Sequence, residues 1–255
     1  MDFQEGVIIG IDKPYRMSSF GALAHIRFLI SKKLGVKRVK TGHAGTLDPL
    51  ATGVLLLCTG KATKQIEQLQ AHTKEYVAGL KLGATTASFD REHTVDFTYP
   101  TKHITRQLVE DTLKQFVGDI MQVPPAFSAC KVDGKRAYHL MRKGKDVELK
   151  AKPLRIDEIE LLDFNPLAMT MAIRVVCGKG TYIRALARDI GQALGSGAFL
   201  TSLRRTRVGD YSIEDCLTLD DFPAWLDAQD IVPYPKKVSE KGDKEDYYNI
   251  RRQDI

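Results

Sequence analysis

The chain has 255 residues, 43% of them hydrophobic, enough apolar material for one large domain or two smaller ones. Its 38 Lys and Arg against 32 Asp and Glu leave a net charge of +6, a balance that suits a polyanionic partner without requiring one. Cys58, Cys130, Cys177 and Cys216 stand singly with no CxxC pair, the N-terminus has no basic-then-apolar leader, and no uncharged run reaches the roughly 18 residues of a membrane span, so the expectation is a soluble protein of the reducing cytoplasm without a zinc site.

The stretch "GVIIGIDKP" is a short apolar run halted by Pro14 and predicts a strand running into a loop. "SSFGALAHIRFLISKKLG" follows, with serine at a cap position and Leu23, Ile26, Leu29 and Ile30 at helical spacing. Ser31 to Lys40, "SKKLGVKRVK", holds five basic residues and no acidic ones, and a solvated loop and a phosphate-contacting loop account for it equally well. Val54 to Leu57 form a buried apolar run, and "KEYVAGLKLGATT" alternates as a strand does, ending at Gly83. Thr105 to Val117 read as a helix, and "QVPPAFSACKVDGKRAYHLMRKG" as a proline-started loop leading into a basic helix.

The clearest strand–turn–helix is "TMAIRVVCGKGTYIRALARDIGQALGSG". Its strand is Met171 to Cys177, its turn Gly178 to Gly180, and Ile183, Leu186, Ala187 and Ile190 are the apolar stripe of its helix. From Pro235 the sequence is charged, poor in apolar residues and without periodicity, which predicts a solvated or disordered tail over 235–255 behind a folded domain over 1–234. Strands and helices mix without a strict βαβ rhythm, and that favours an α+β fold over a doubly wound sheet.

Two glycine–lysine turns fail as phosphate loops. In "GVLLLCTGKA" six residues separate the glycines and Ala62 follows the lysine, and in "CGKGT" Gly180 follows it, so neither fits the P-loop pattern. "TGHAGTLDPLATG", Thr41 to Gly53, is different: three glycines, one imidazole and one carboxylate make an irregular backbone that presents polar groups. Asp48 followed by Pro49 is a standard helix start, so Asp48 reads as an N-cap or as an attacking group, and with no third ligand at a recognisable spacing it makes a poor metal site. Taken alone, His43 reads as a packed or surface histidine, Tyr76 and Tyr182 as core aromatics with a wet hydroxyl, and Arg184 as a surface charge on its helix. Residue types and spacing leave these alternatives open.

As a set, the segments are similar to the TruB family of tRNA pseudouridine synthases. The resemblance is carried by "GHAGTLDPLATGVL" with "GKATK", by "IDKPYRMSS", "KEYVAGLKLGATT", "PPAFSACKVDGKRAY" and "KGTYIRALARDIG", and by "LTSLRRTRVG", in family order from residue 6 to residue 215. It implies the pseudouridine synthase fold, an α+β domain whose central mixed, mainly antiparallel sheet is flanked by helices and loops. It also implies isomerisation of uridine 55 in the T-loop of tRNA, by base flipping and without cofactor or metal. On that resemblance Asp48 is the catalytic aspartate and Arg184 the arginine that pairs with it. His43 is the histidine that fills the place of the flipped base. Tyr76 is the tyrosine that stacks on the uracil, and its hydroxyl is placed to take the C5 proton. Tyr182 and Leu203 line the pocket further, and Lys64 is a basic residue that meets RNA backbone.

The sequence departs from the family pattern twice. Arg16 lies where members have glycine, and the length leaves no room for the C-terminal PUA domain that many bacterial members carry. RNA contact is then expected to rest on the catalytic domain, the Ser31–Lys40 loop and the tail. The implied enzyme is a cytoplasmic monomer that binds the T-stem-loop of tRNA, with no membrane and no obligatory protein partner. A non-catalytic RNA-binding or tRNA-folding protein on the same scaffold is the rival reading, but it has no use for Asp48, Tyr76 and Arg184 together. A guide-dependent synthase is the other, and it would rely on a PUA domain and partner proteins.

Overall fold

The run Val54–Leu57 is the middle of a strand, β3 (Thr52–Thr59), whose residues from Gly53 onward are all buried. With no polar face to offer water, such a strand belongs inside a sheet. The computed structural model describes residues 1–125, 131–132, 135–136 and 149–233. The basic helix expected after Cys130 and the tail from Pro235 lie outside the described residues.

Ahead of β3 come β1 (Ile8–Lys13), α1 (Ser19–Lys33) and β2 (Thr41–Ala44), and behind it a 3-10 turn over Gly60–Gln65 and α2 (Ile66–Ala71). Next follow β4 (Lys74–Leu82), the hairpin of β5 (Ala84–Thr86) with β6 (Val95–Thr98), α3 (Arg106–Lys114), β7 (Gly118–Gln122) and the two-residue strands β8 (Lys131–Val132) and β9 (Lys135–Arg136). The rest is β10 (Lys152–Asn165), β11 (Thr170–Cys177), α4 (Ile183–Ala193), β12 (Ala198–Val208), β13 (Tyr211–Ser212) and α5 (Phe222–Asp227).

A nine-stranded sheet runs in the order β1-β3-β12-β4-β11-β10-β7, with β2 beside β3 and β13 beside β12. Its pairings are antiparallel except β3 with β12, where Arg204 faces Thr52 and Arg205 faces Gly53. The chain therefore adopts the expected α+β fold with a mixed, mainly antiparallel sheet. Local signals act as read: Ser18 caps α1 by accepting from the Gly21 amide at 3.0 Å, and the β4 burial pattern alternates strictly from Lys74 to Leu82. The long strands β10 and β12 carry no such signal, because each contains register shifts that break the period of two.

On one side, α4 packs on β4 and β12 and α3 on β10 and α4, around buried residues such as Leu80, Val175, Leu186 and Ile190. At the other end, α1 and α5 cover β1 and β3 through Ile11, Ile26, Ile30, Leu55 and Phe222. The loop between β2 and β3 rests on the first of these clusters through Leu47 and Ala51. That loop carries Asp48.

Candidate active site

No helix starts at Asp48. The Ala51 amide donates to the Asp48 carbonyl at 3.1 Å, closing a single turn around Pro49 and Leu50, so the N-cap reading fails and the carboxylate is left for other contacts. Three neighbouring elements pin the loop. Ser19, in the first turn of α1, accepts from the Leu47 amide at 2.8 Å and donates to the Leu47 carbonyl at 3.0 Å. The wholly buried Lys13 donates to the carbonyls of Met17 (2.7 Å) and Pro14 (2.9 Å) and reaches that of Pro49 at 3.5 Å. Arg205, 2% exposed, donates through Nε to Val54 O at 2.7 Å and through Nη2 to Gly45 O at 3.1 Å. Burial pushes the Lys13 ammonium down to about 8, against the pull of Asp48.

Arg184 is not a surface charge. It sits in the first turn of α4, 5% exposed, with its Nε 2.8 Å from Asp48 Oδ2. Its Nη1 donates to the Ser88 carbonyl at 3.1 Å and lies 3.8 Å from Oδ2 of the buried Asp90. Asp90 in turn accepts from the Ser88 hydroxyl and from the Glu92 amide. The side chain of Asp48 keeps 41% of its surface exposed, so one edge is held by the guanidinium and the rest opens outward. The start of α4 is itself fixed: Gln122 accepts from the Tyr182 amide at 2.9 Å and donates to the Tyr182 carbonyl at 3.3 Å.

Asp48 opens onto a cleft of about 350 Å³, within the size range of small-ligand sites. Tyr76, on the buried face of β4, forms part of its wall, paired across the sheet with Val175 of β11 and Arg205 of β12. Bulges on β12 between Leu200 and Ser202 and between Arg205 and Arg207 bracket Leu203 and Arg205, and such irregularities re-aim side chains. Burial raises the Tyr76 phenol above its ordinary range, and the adjacent Arg205 guanidinium opposes that shift. Lys74 donates to the carbonyls of Gln70 and His72, and burial brings its ammonium down to about 8. Among the described residues that line the cleft, Lys74, Lys179, Arg184 and Arg205 are set against one carboxylate, Asp48, a balance biased toward a polyanion.

Tyr76, Tyr182, Arg184 and Leu203 line this cleft with Asp48. His43 does not: it lies half-buried on β2 opposite Leu57, its Nδ1 is buried without a hydrogen-bond partner among the described residues, and burial with the nearby Arg205 lowers its pKa. Lys64 is exposed on the 3-10 turn, also outside the cleft. Sequence reasoning missed Lys13, Lys74, Asp90, Lys179 and Arg205. The "RR" of β12 was visible, but not that Arg204 turns to Asp12 on β1 at 2.8 Å while Arg205 turns inward. Cys58 and Cys177 are buried free thiols. Among the described residues no three His, Cys, Asp or Glu side chains cluster as metal ligands, and no helix is long and apolar enough to cross a membrane.

A model of the N-terminal domain of TruB family pseudouridylate synthases matches residues 31–183, and a model of the tRNA pseudouridylate synthase B C-terminal domain matches residues 184–232. The tRNA pseudouridine synthase B of Phocaeicola vulgatus is 65% identical over 231 residues, 91% of this chain and 97% of that protein. The protein of the same name in Flavobacterium johnsoniae is 48% identical over 223 residues, 87% of this chain and 96% of its own. The one in Mycobacterium leprae is 45% identical over 221 residues, 84% of this chain and 67% of its own. Among solved structures, a chain from a crystal structure of a Cbf5–Nop10–Gar1 complex aligns with a TM-score of 0.65 at 31% identity, covering 88% of this chain and 55% of that one.

Proposed function

We propose, since this chain belongs to the TruB family of pseudouridylate synthases, that it isomerises uridine 55 in the T-loop of tRNA to pseudouridine, with Asp48 as the catalytic carboxylate. The observation that carries the reading is the Asp48–Arg184 pair: a carboxylate held at 2.8 Å by a buried guanidinium on one edge and open on the other to a cleft walled by Tyr76.

The reaction breaks the bond from C1′ to N1, turns the uracil, and joins C1′ to C5; the C5 hydrogen leaves as a proton and N1 gains one. A carboxylate serves it by attack on C1′, by attack on C6 of the ring, or by removal of the 2′ proton. Each role needs the carboxylate aimed, and the planar fork of Arg184, itself fixed on the Ser88 carbonyl, does the aiming. The uridine reaches the cleft only after leaving its stack, which costs a few kcal/mol, and aromatic stacking returns roughly 1–3 kcal/mol per base. Tyr76 offers the surface for the extruded uracil, with Leu203 and Tyr182 beside it. The position of His43 outside the cleft suits a side chain that fills the vacated stack rather than the base pocket. Lys64 and the exposed lysines of the Ser31–Lys40 stretch are cations for the RNA backbone. Residues 1–234 are the catalytic unit of a cytoplasmic monomer that works without an obligatory protein partner.

Tritium release from a tRNA transcript carrying 5-tritiated uridine tests the proposal, because forming the new bond expels the C5 hydrogen. Wild type should release close to one equivalent per tRNA and Asp48→Asn none. Tight tRNA binding by both proteins with no release from either would put a binding module in place of the enzyme.

A further inference from the structure

One exposed residue in the loop beside Tyr15 holds a backbone conformation that its own type disfavours. Arg16, in the loop from β1 to α1, has φ +62°, the left-handed region where a Cβ is strained and glycine is not. It occupies the position at which the sequence departs from the family's glycine. Nothing in the fold explains arginine there: the side chain is exposed, and among the described residues its guanidinium has no hydrogen bond or ion pair. It lies instead 5.5 Å from the centre of the Tyr15 ring. Tyr15 is 49% exposed.

Tyr15 adjoins Asp48, and Arg16 reaches that surface through its contact with the Tyr15 ring. Tyr15 lines a small cavity whose wall includes Asp48, Arg184 and Leu203, and the same three residues line the catalytic cleft. Strained backbone clusters at active sites and ligand clamps, and here it displays an exposed arginine stacked on an exposed tyrosine. The aromatic face takes an unstacked base, and the planar guanidinium takes two oxygens of a phosphate.

We propose that Tyr15 and Arg16 form an RNA-strand subsite beside the cleft, binding the phosphate and base of a nucleotide that flanks the flipped uridine. This rests on the reading of the cleft as a tRNA uridine site. The subsite is a feature of this chain's arginine: a glycine at the same position would keep the turn and lose the phosphate contact.

Arg16→Gly separates the structural role from the binding role, since it relieves the strain while removing the side chain. Its melting temperature should hold or rise. Its affinity for tRNA should fall about five- to tenfold, and the dependence of log affinity on log salt should flatten by about 0.7–0.9, the loss of one phosphate contact. Arg16→Lys should keep the salt slope. Tyr15→Ala should weaken binding without changing the slope, and Tyr15→Phe should bind as wild type does. An Arg16→Gly protein with wild-type affinity and slope, while the wild type releases tritium, overturns the subsite and leaves the cleft reading standing. A wild type that neither binds tRNA nor releases tritium overturns both.

Discussion

Replacing Arg184 with lysine asks whether Asp48 needs a planar fork or only a positive charge. Among the described residues the guanidinium spans Asp48 Oδ2 at 2.8 Å and the Ser88 carbonyl at 3.1 Å, with Asp90 3.8 Å away. An ammonium is a point donor and cannot hold both at that spacing from one position. The contact to Asp48 is an ion pair without hydrogen-bond alignment at Nε, and the hydrogen bond that fixes the guanidinium is the one to the Ser88 carbonyl. Such a charge-assisted bond contributes about 1.5–3 kcal/mol, and each 1.36 kcal/mol on the barrier is about a factor of ten, so losing it, and with it the aim of Asp48, slows turnover by about 10- to 150-fold. The 41% exposure of the Asp48 side chain lets water replace part of the lost contact, which places the expectation in the lower half of that range. Stability should fall by about 1 kcal/mol, or about 2–4 °C in melting temperature for a chain of this size, because the buried Asp90 keeps a cation nearby but loses its geometry. The assay is single-turnover tritium release at saturating tRNA, beside thermal denaturation of the same preparation. Turnover within about threefold of wild type would refute the pairing argument, since it would mean that a charge in the vicinity suffices.

Gly53 has φ +104°, and a Cβ there would come 2.1 Å from the Arg205 carbonyl. Gly53→Ala should therefore lower the melting temperature by at least about 2 °C, from a left-handed penalty of about 1–2 kcal/mol alone, and reduce turnover through Arg205; a variant melting with wild type would show the β3–β12 junction to be looser than it looks. Lys74 titrates near 8 in the folded chain, lowered by burial, so its charge in the cleft is lost as pH rises through about 8. Affinity for tRNA should weaken between pH 7 and 9 in wild type and much less in Lys74→Met. The burial penalty on the ammonium is complete below pH 8 and is relieved toward the unfolded value of 10.5, so stability should rise over the window in which binding falls. A pH-independent affinity in wild type removes the role of Lys74. Tyr76→Phe should bind tRNA as wild type does while turning over about 100-fold more slowly, as the loss of a proton-transfer group predicts; unchanged turnover leaves the hydroxyl without a part in the chemistry.

Much of the fold was legible because it follows short-range rules. Ser18 and Thr105 mark helix starts with a side-chain oxygen, β4 alternates, and Ile183, Leu186, Ala187 and Ile190 form one stripe. What escaped is what the tertiary structure alone decides. Asp48-Pro49 obeys the local pattern of a helix start, yet the loop ends in a single turn because Ser19, Lys13 and Arg205 hold it from three directions. Arg184 falls on an amphipathic helix among charged residues, and only the packing of α4 beside Asp48 and Ser88 makes it buried. Lys13, Lys74 and Arg205 fall within the family blocks, but residue type and spacing do not separate them from surface cations; Lys74 and Arg205 are sunk on the inner strands β4 and β12, and Lys13 under the loops that carry Met17 and Pro49. Asp48, Tyr76, Arg184, Tyr182 and Leu203 were reached through the family resemblance, which residue spacing did not supply.

The charges around the Asp48 loop also bear on whether this scaffold catalyses or only binds. Lys13, Arg184, Arg205 and Asp90 are all nearly inaccessible to water, and burying charged groups usually stabilises a fold less than apolar residues of the same volume would. Burial that drives the Lys13 ammonium down to about 8 is a cost borne by the folded state. A protein that merely bound RNA would need its cations outside, where phosphates are, and could fill the space beneath Asp48 with leucine and methionine. Here the cations are spent on carbonyls: Gly45, Val54, Ser88, Pro49 and their neighbours. What that arrangement yields is a single half-open carboxylate whose backbone cannot shift without breaking several buried hydrogen bonds at once. Such rigidity matters for aiming one oxygen at one atom of a flipped nucleotide, and holding a phosphate does not require it.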